Sequence, residues 1–197
     1  MFRRRKGFAL VEMLAVVAIV GLIVAVSVPA FGTIRRKAAL RASVHEIRSV
    51  IRLGRSRAIA RGEHSAIKFR KTGEVWTWAL VDDLDGDGVR NDDILAGIDL
   101  VIGRYRDVLV ASDEVAIALP SFPVRDPDTK KFLPANASPV RFNASTLCSF
   151  GPLGGGTSGS IFLTNRWDDV AMVRVSGATG RVRAILYDRG TETWGGL

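Results

Sequence analysis

From Phe8 to Phe31 the chain carries one charge, Glu12, and one hydroxyl, Ser27. A helical run of about 24 residues is long enough to cross a hydrocarbon core of about 30 Å. Arg3, Arg4, Arg5 and Lys6 stand just before it. Three readings meet this pattern. A secretory signal peptide has a basic start, but its apolar core is only about 7–15 residues long, and this run continues into a helical pattern with no break typical of cleavage. A plain single-pass anchor fits the length, and the positive-inside rule then holds the basic leader in the cytoplasm and places the body outside. It leaves Glu12 unexplained. A carboxylate five residues into an apolar span costs roughly 2.5–3.5 kcal/mol on insertion, which makes it a functional hypothesis by default.

The third reading accounts for all of these residues. A short basic leader, the Gly7-Phe8 junction and Glu12 together resemble the signal of type IV pilins and pseudopilins. The resemblance implies that a prepilin peptidase cuts after Gly7 and N-methylates Phe8. It also implies that other pilins or pseudopilins and an inner-membrane assembly platform are the partners. Residues 1–7 are then leader, 8–31 transmembrane helix, 32–61 amphipathic helix and 62–197 a β-rich periplasmic body. In the family, the glutamate pairs with the terminal amine of a neighbouring subunit. Two buried charges that satisfy each other are tolerable where either alone is expensive, so Glu12 is expected to set subunit register.

The net charge of +8 is unevenly spread. The leader holds four basic residues. Arg35 to Lys71 has 12 Lys/Arg against Glu46 and Glu63, whereas Thr72 to the end has 12 against 17 Asp/Glu. The body is therefore mildly acidic, and a high isoelectric point is no nucleic-acid signature by itself. The single cysteine, Cys148, excludes an intramolecular disulfide and is expected to be a small buried residue.

After Pro29, where a kink is expected, Leu40, Val44, Ile47, Ile51, Gly54 and Ala58 recur at helical spacing and predict a core-facing stripe. Arg41, His45, Arg48, Arg52 and Arg55 form a second face. It is open to solvent, to acidic surfaces of neighbouring subunits, or to nucleic acid. The helix is expected to stop near Arg61-Gly62.

Beyond Gly62 short alternating runs predict strands. These are Ser65–Arg70 and Glu74–Val81, joined by a hairpin, then Val115–Leu119, Val140–Phe142, Ser160–Thr164, Val170–Val175 and Arg181–Tyr187. Trp76 and Trp78 share a face and read as packing aromatics. The proline-rich stretch 120–139 reads as a loop. The expected fold class is α+β, pilin-like, with a long N-terminal helix on a small antiparallel β-domain.

The closing third holds Val140-Arg141-Phe142, then Phe150-Gly151-Pro152 and a glycine-rich run to Gly159. Ser160-Ile161-Phe162-Leu163, Val173-Arg174-Val175-Ser176 and Gly180-Arg181-Val182-Arg183 follow in that order. These segments resemble the GspH/FimT family of minor pseudopilins and pilins. The middle, 82–135, departs from that pattern and reads as an insertion-rich region. The resemblance implies a minor pseudopilin of a type II secretion pseudopilus, near its tip or its start. Some members instead hold DNA for natural transformation through a Gly-Arg-x-Arg motif, which would assign Arg181 and Arg183 as DNA-binding. Arginines two apart on a strand share one face and can clamp phosphate. A basic surround for the pair would favour DNA, and an acidic one would count against it.

Asp83-Leu84-Asp85-Gly86-Asp87-Gly88 opens like a calcium loop, with alternate carboxylates for one hard cation and a glycine for the sharp turn. Position twelve falls on Ile94 instead of a glutamate, so a tighter loop would use Asn91 or Asp93. An acidic turn without metal is the plain alternative. No other cofactor is implied. His45 and His64 have no catalytic partner pattern, and Gly154–Gly156 lacks the lysine of a phosphate-binding loop, so the sequence supports no enzyme.

Overall fold

The structure, a computed structural model, describes residues 10–108, 114–134, 136–165, 167 and 169–197, with only the backbone given for 26–30. Helix α1 spans Leu10–Arg61, 52 residues and about 78 Å at the usual rise. It ends where expected: Gly62 adopts φ 68°, a left-handed turn that stops the helix without a Cβ penalty. The predicted stripe is the docking face. Leu40, Val44, Ile47, Ile51 and Ala58 are buried. At Gly54 the helix comes so close to the sheet that a Cβ would stand 2.9 Å from Cγ1 of Ile67.

Two antiparallel sheets receive that face. The first has four strands, β1 (Ser65–Thr72), β2 (Val75–Asp82), β3 (Leu100–Asp107) and β5 (Leu147–Phe150), in the order β3-β2-β1-β5. The second has five, β4 (Val140–Phe142), β6 (Gly159–Thr164), β7 (Val170–Ser176), β8 (Arg181–Asp188) and β9 (Thr193–Gly196), in the order β4-β6-β7-β8-β9. Strands β1, β5, β6, β7 and β8 all approach α1. The sheets meet where Phe69 and Phe142 stack, with ring centroids 6.0 Å apart. Both rings are fully buried, and each large side chain so buried stabilises by roughly 1.5–3 kcal/mol.

The α+β pilin-like class is thus the observed one. The β1–β2 hairpin, β4, β6, β7 and β8 lie where the alternation placed them. Trp76 is buried in the main core and Trp78 packs against it. Val115–Leu119 is not a strand. Ala116 makes only an isolated bridge to Thr164, at the opposite end of β6 from the residues paired with β4, and Pro120 follows at once. The segment 82–135 is also more than an insertion. It contains α2 (Asn91–Ala96) and β3, and Ile94 and Val101 pack on a second cluster, Ala66, Val81, Val89 and Leu147, behind the first sheet. The loop near Val124 is held by Trp194, whose Nε1 donates to the Arg125 carbonyl at 2.7 Å.

The outer end of α1 is tied to the sheet by charge. Arg57 donates twice to Asp82, at 2.7 and 2.6 Å, and Ser65 Oγ donates to the same carboxylate at 3.3 Å. Asp82 is almost fully buried, and a bidentate guanidinium is the arrangement that makes such burial tolerable.

Candidate functional site

Three regions carry the residues singled out by the sequence. The first is the N-terminal part of α1. Gly7 and Phe8 lie outside the described residues. Glu12 sits in the first turn of the helix, and every residue from Leu10 to Ala25 is exposed. A helix that is apolar around its whole circumference requires an apolar surround, either lipid or other helices. Among the described residues no helix is long and apolar enough to cross a membrane. The expected span over 8–31 includes residues whose side chains are not described.

The second region lies between α1 and β8. Arg181 and Arg183 project to one exposed face of β8 with Val182 buried between them, as the period of a strand requires. Facing them across a groove of about 750 Å³ are Arg48, Arg52 and Arg55 of α1, and no acidic side chain is among the lining residues. The helix arginines and the strand arginines therefore share one electropositive groove, a convergence that neither segment announces alone. Arg55 is held by carbonyls: its Nε donates to Gly154 O at 2.9 Å and its Nη2 to Thr179 O at 3.3 Å. The Nε of Arg48 is shielded from solvent and has no hydrogen-bond partner. On the neighbouring strand Arg174 stands directly opposite Arg183 and is neutralised by Asp128. Gly180 has a structural duty in this motif. It adopts φ 60°, and a Cβ there would lie 2.0 Å from Gly154 O.

The third region is the acidic loop between β2 and α2. Ligand atoms of Asp83, Asp85 and Asp87 lie within 4.8 Å of one another. The Asp83 carboxylate accepts the Gly86 N–H at 2.8 Å and the Gly88 N–H at 2.9 Å, while Arg90 pairs with Asp87. Asn91 does not join them. Its Oδ1 accepts from Lys68 Nζ at 2.6 Å and its Nδ2 donates to Ser145 Oγ at 3.1 Å, so both ends are committed to β1 and to the turn before β5. Asp93 stands close enough to feel the charge of the loop. Loss of solvent, and then the charges of Asp87, Asp85 and Asp99, raise its pKa above the ordinary carboxylate value. Asp99 is an addition that the spacing did not give, because it lies sixteen residues from Asp83 and returns only through the turn after α2.

Residues 2–28 match the family model of the prokaryotic N-terminal methylation motif. That motif marks a type IV pilin-like protein, of a pilus or a pseudopilus. No curated protein and no solved structure matches the chain. The pilin-like signal implies processing by a prepilin peptidase and assembly with other pilins into a filament. Proteins that carry this motif are structural subunits; in this chain α1 leaves Leu10 to Ala25 exposed and docks its other half on the sheets.

Proposed function

We propose that the chain is a minor pseudopilin, a structural subunit placed at the start or tip of a type II secretion pseudopilus. The observation that carries this reading is the bare apolar half of α1 with Glu12 near its start. Cleavage after Gly7 would create an ammonium at Phe8, and N-methylation there leaves the charge in place. In a filament, Glu12 of one subunit neutralises the Phe8 amine of the next, and the exposed helix gains neighbours. The ordered resemblance of the closing strands to GspH/FimT proteins supports a minor position. The body then stands in the periplasm, with the leader on the cytoplasmic side.

The test is Glu12→Ala in cells that carry the assembly machinery. The variant should insert and be processed to the mature size while entering sheared filaments at less than one tenth of the wild-type level. Assembly at the wild-type level would sink the register role.

A second reading, DNA capture by a minor pilin, is favoured by the arginine groove. Five guanidinium groups with no acidic side chain among the groove's lining residues offer a polyanion the local field that the acidic body as a whole does not. A low-salt titration with duplex DNA separates the two readings. Binding lost in an Arg181→Ala/Arg183→Ala double variant and weakened by salt selects DNA capture. No binding at low salt, where exposed charges are least screened, leaves the structural role.

A further inference from the structure

We propose that Asp83, Asp85, Asp87, Asp93 and Asp99 form a calcium site that fastens the loop and helix α2 over the back of the first sheet. The clustered carboxylates of Asp83, Asp85 and Asp87 would not carry this alone, since their contacts with Gly86 and Gly88 are ordinary turn bonds. The deciding observation is Asp99. It is 2% exposed, its Oδ2 accepts the Arg90 N–H at 3.0 Å, and its Oδ1 has no hydrogen-bond donor. A buried carboxylate oxygen without a partner is costly. Asp93, in the first turn of α2, likewise has a shielded Oδ2 with no donor.

The backbone brings these two residues to the loop. The Asp93 carbonyl accepts the N–H groups of Ile98 at 2.8 Å and Asp99 at 3.2 Å, so Asp99 folds back against the residue that closes the loop. Asp83, Asp85 and Asp87 already converge, with ligand atoms within 4.8 Å of one another, and Asp93 stands near enough to feel the charges of Asp85, Asp87 and Asp99, so the two residues returning from α2 lie beside that cluster. The only basic side chain paired within the set is Arg90, on Asp87, among the described residues. Five carboxylates with one guanidinium repel one another, and a divalent cation relieves that repulsion.

The donor set selects the ion. Every donor is a carboxylate oxygen, with no sulfur or imidazole ligand, which points to a hard cation. A loop of several carboxylates at irregular spacing suits the larger, less demanding shell of calcium better than the strict octahedron of magnesium. The consequence is structural. Val89, between Asp87 and Asp93, belongs to the cluster of Ala66, Val81 and Leu147, and Ile94, between Asp93 and Asp99, packs against it, so an ion that closes the loop also clamps that apolar cover. The proposal does not depend on which filament the subunit joins.

The experiment is calorimetric titration of calcium chloride into the full chain in detergent, paired with thermal unfolding in calcium or chelator. Binding in the micromolar to millimolar range and a midpoint raised by several degrees are expected, with a weaker response to magnesium at equal concentration. Asp85→Asn, at an exposed position, should weaken binding at least tenfold without loss of fold, and Asp99→Asn should do the same. An absence of heat and of thermal shift up to 10 mM calcium would overturn the proposal. So would a response matched by magnesium and kept by Asp85→Asn. An Asp99→Asn variant that folds and binds calcium with unchanged affinity would remove Asp99 from the site and the main support with it.

Discussion

Two glycines, Gly73 and Gly180, share the same left-handed φ of 60° but face different surroundings, and replacing each with alanine separates strain from packing. Gly73 is the first of the two residues between paired Thr72 and Val75, and a Cβ there meets nothing within 4 Å. Its replacement costs only the left-handed backbone penalty, about 1–2 kcal/mol. Gly180 carries the same penalty and more. Its Cβ would lie 2.0 Å from Gly154 O and 2.6 Å from Arg55 Nε, whereas a carbon and a carbonyl oxygen ordinarily approach to about 3.3 Å. A backbone must yield by more than an ångström, and overpacking of that kind adds about 1–3 kcal/mol. The total is about 2–5 kcal/mol for Gly180→Ala. At roughly 2–4 °C per kcal/mol for a chain of this size, the loss is on the order of 4–20 °C, against 2–8 °C for Gly73→Ala. Tryptophan fluorescence during thermal unfolding reads this directly, since all four tryptophans lie in the body. Equal losses in the two variants would refute the close approach of β8 to the glycine-rich turn. They would also free the Gly-Arg-x-Arg glycine from its packing role.

Three further outcomes follow from the core. Asp82→Asn should cost about 2–3 kcal/mol, because Arg57 loses its charged acceptor at a buried site. The hydrogen bond from Arg57, aided by the charges of Arg57 and Arg61, holds the Asp82 pKa below its ordinary value against the opposing effect of burial. Its stabilisation is therefore complete above the unfolded carboxylate pKa of about 3.9 and is lost as pH falls through the lower folded value. Acid unfolding of Asp82→Asn should lack that part of the slope, and an unchanged acid limb would contradict the pairing. Cys148 is buried and its thiol is pushed well above the ordinary range by loss of solvent, so iodoacetamide should label it only after unfolding, which mass spectrometry can follow. Ile51→Ala, at a fully buried position of α1, should cost about 2–5 kcal/mol. A loss under 1 kcal/mol in a denaturant titration would mean that α1 is not seated on the sheets.

Legibility varied with how local the cause was. The helix stripe Leu40 to Ala58, the stop at Gly62 and the strands β1, β2, β6, β7 and β8 follow from side-chain period and turn residues, which act within a few positions. Strands β5 and β9 escaped because Leu147–Phe150 and Thr193–Gly196 are four residues each, too short to show a period, and β9 ends on two glycines. Strand β3 was hidden because its residues Gly103, Arg104, Arg106 and Asp107 are poor strand formers alone. Its place is set by pairing along one edge of β2. Val115–Leu119 had the right composition for a strand but found only Thr164 to pair with.

The sequence alone determined the N-terminal methylation signal, because the basic leader, the Gly7-Phe8 junction, Glu12 and the apolar run are contiguous and need no tertiary contact to be read. It also determined which face of α1 is buried. Only the tertiary structure decided that Arg48 and Arg52 meet Arg181 and Arg183, that Asn91 turns away to Lys68 and Ser145, and that Asp99 returns to the acidic loop. Such groupings join residues distant in sequence. They are fixed by the packing of two sheets on one helix, and no local spacing records them.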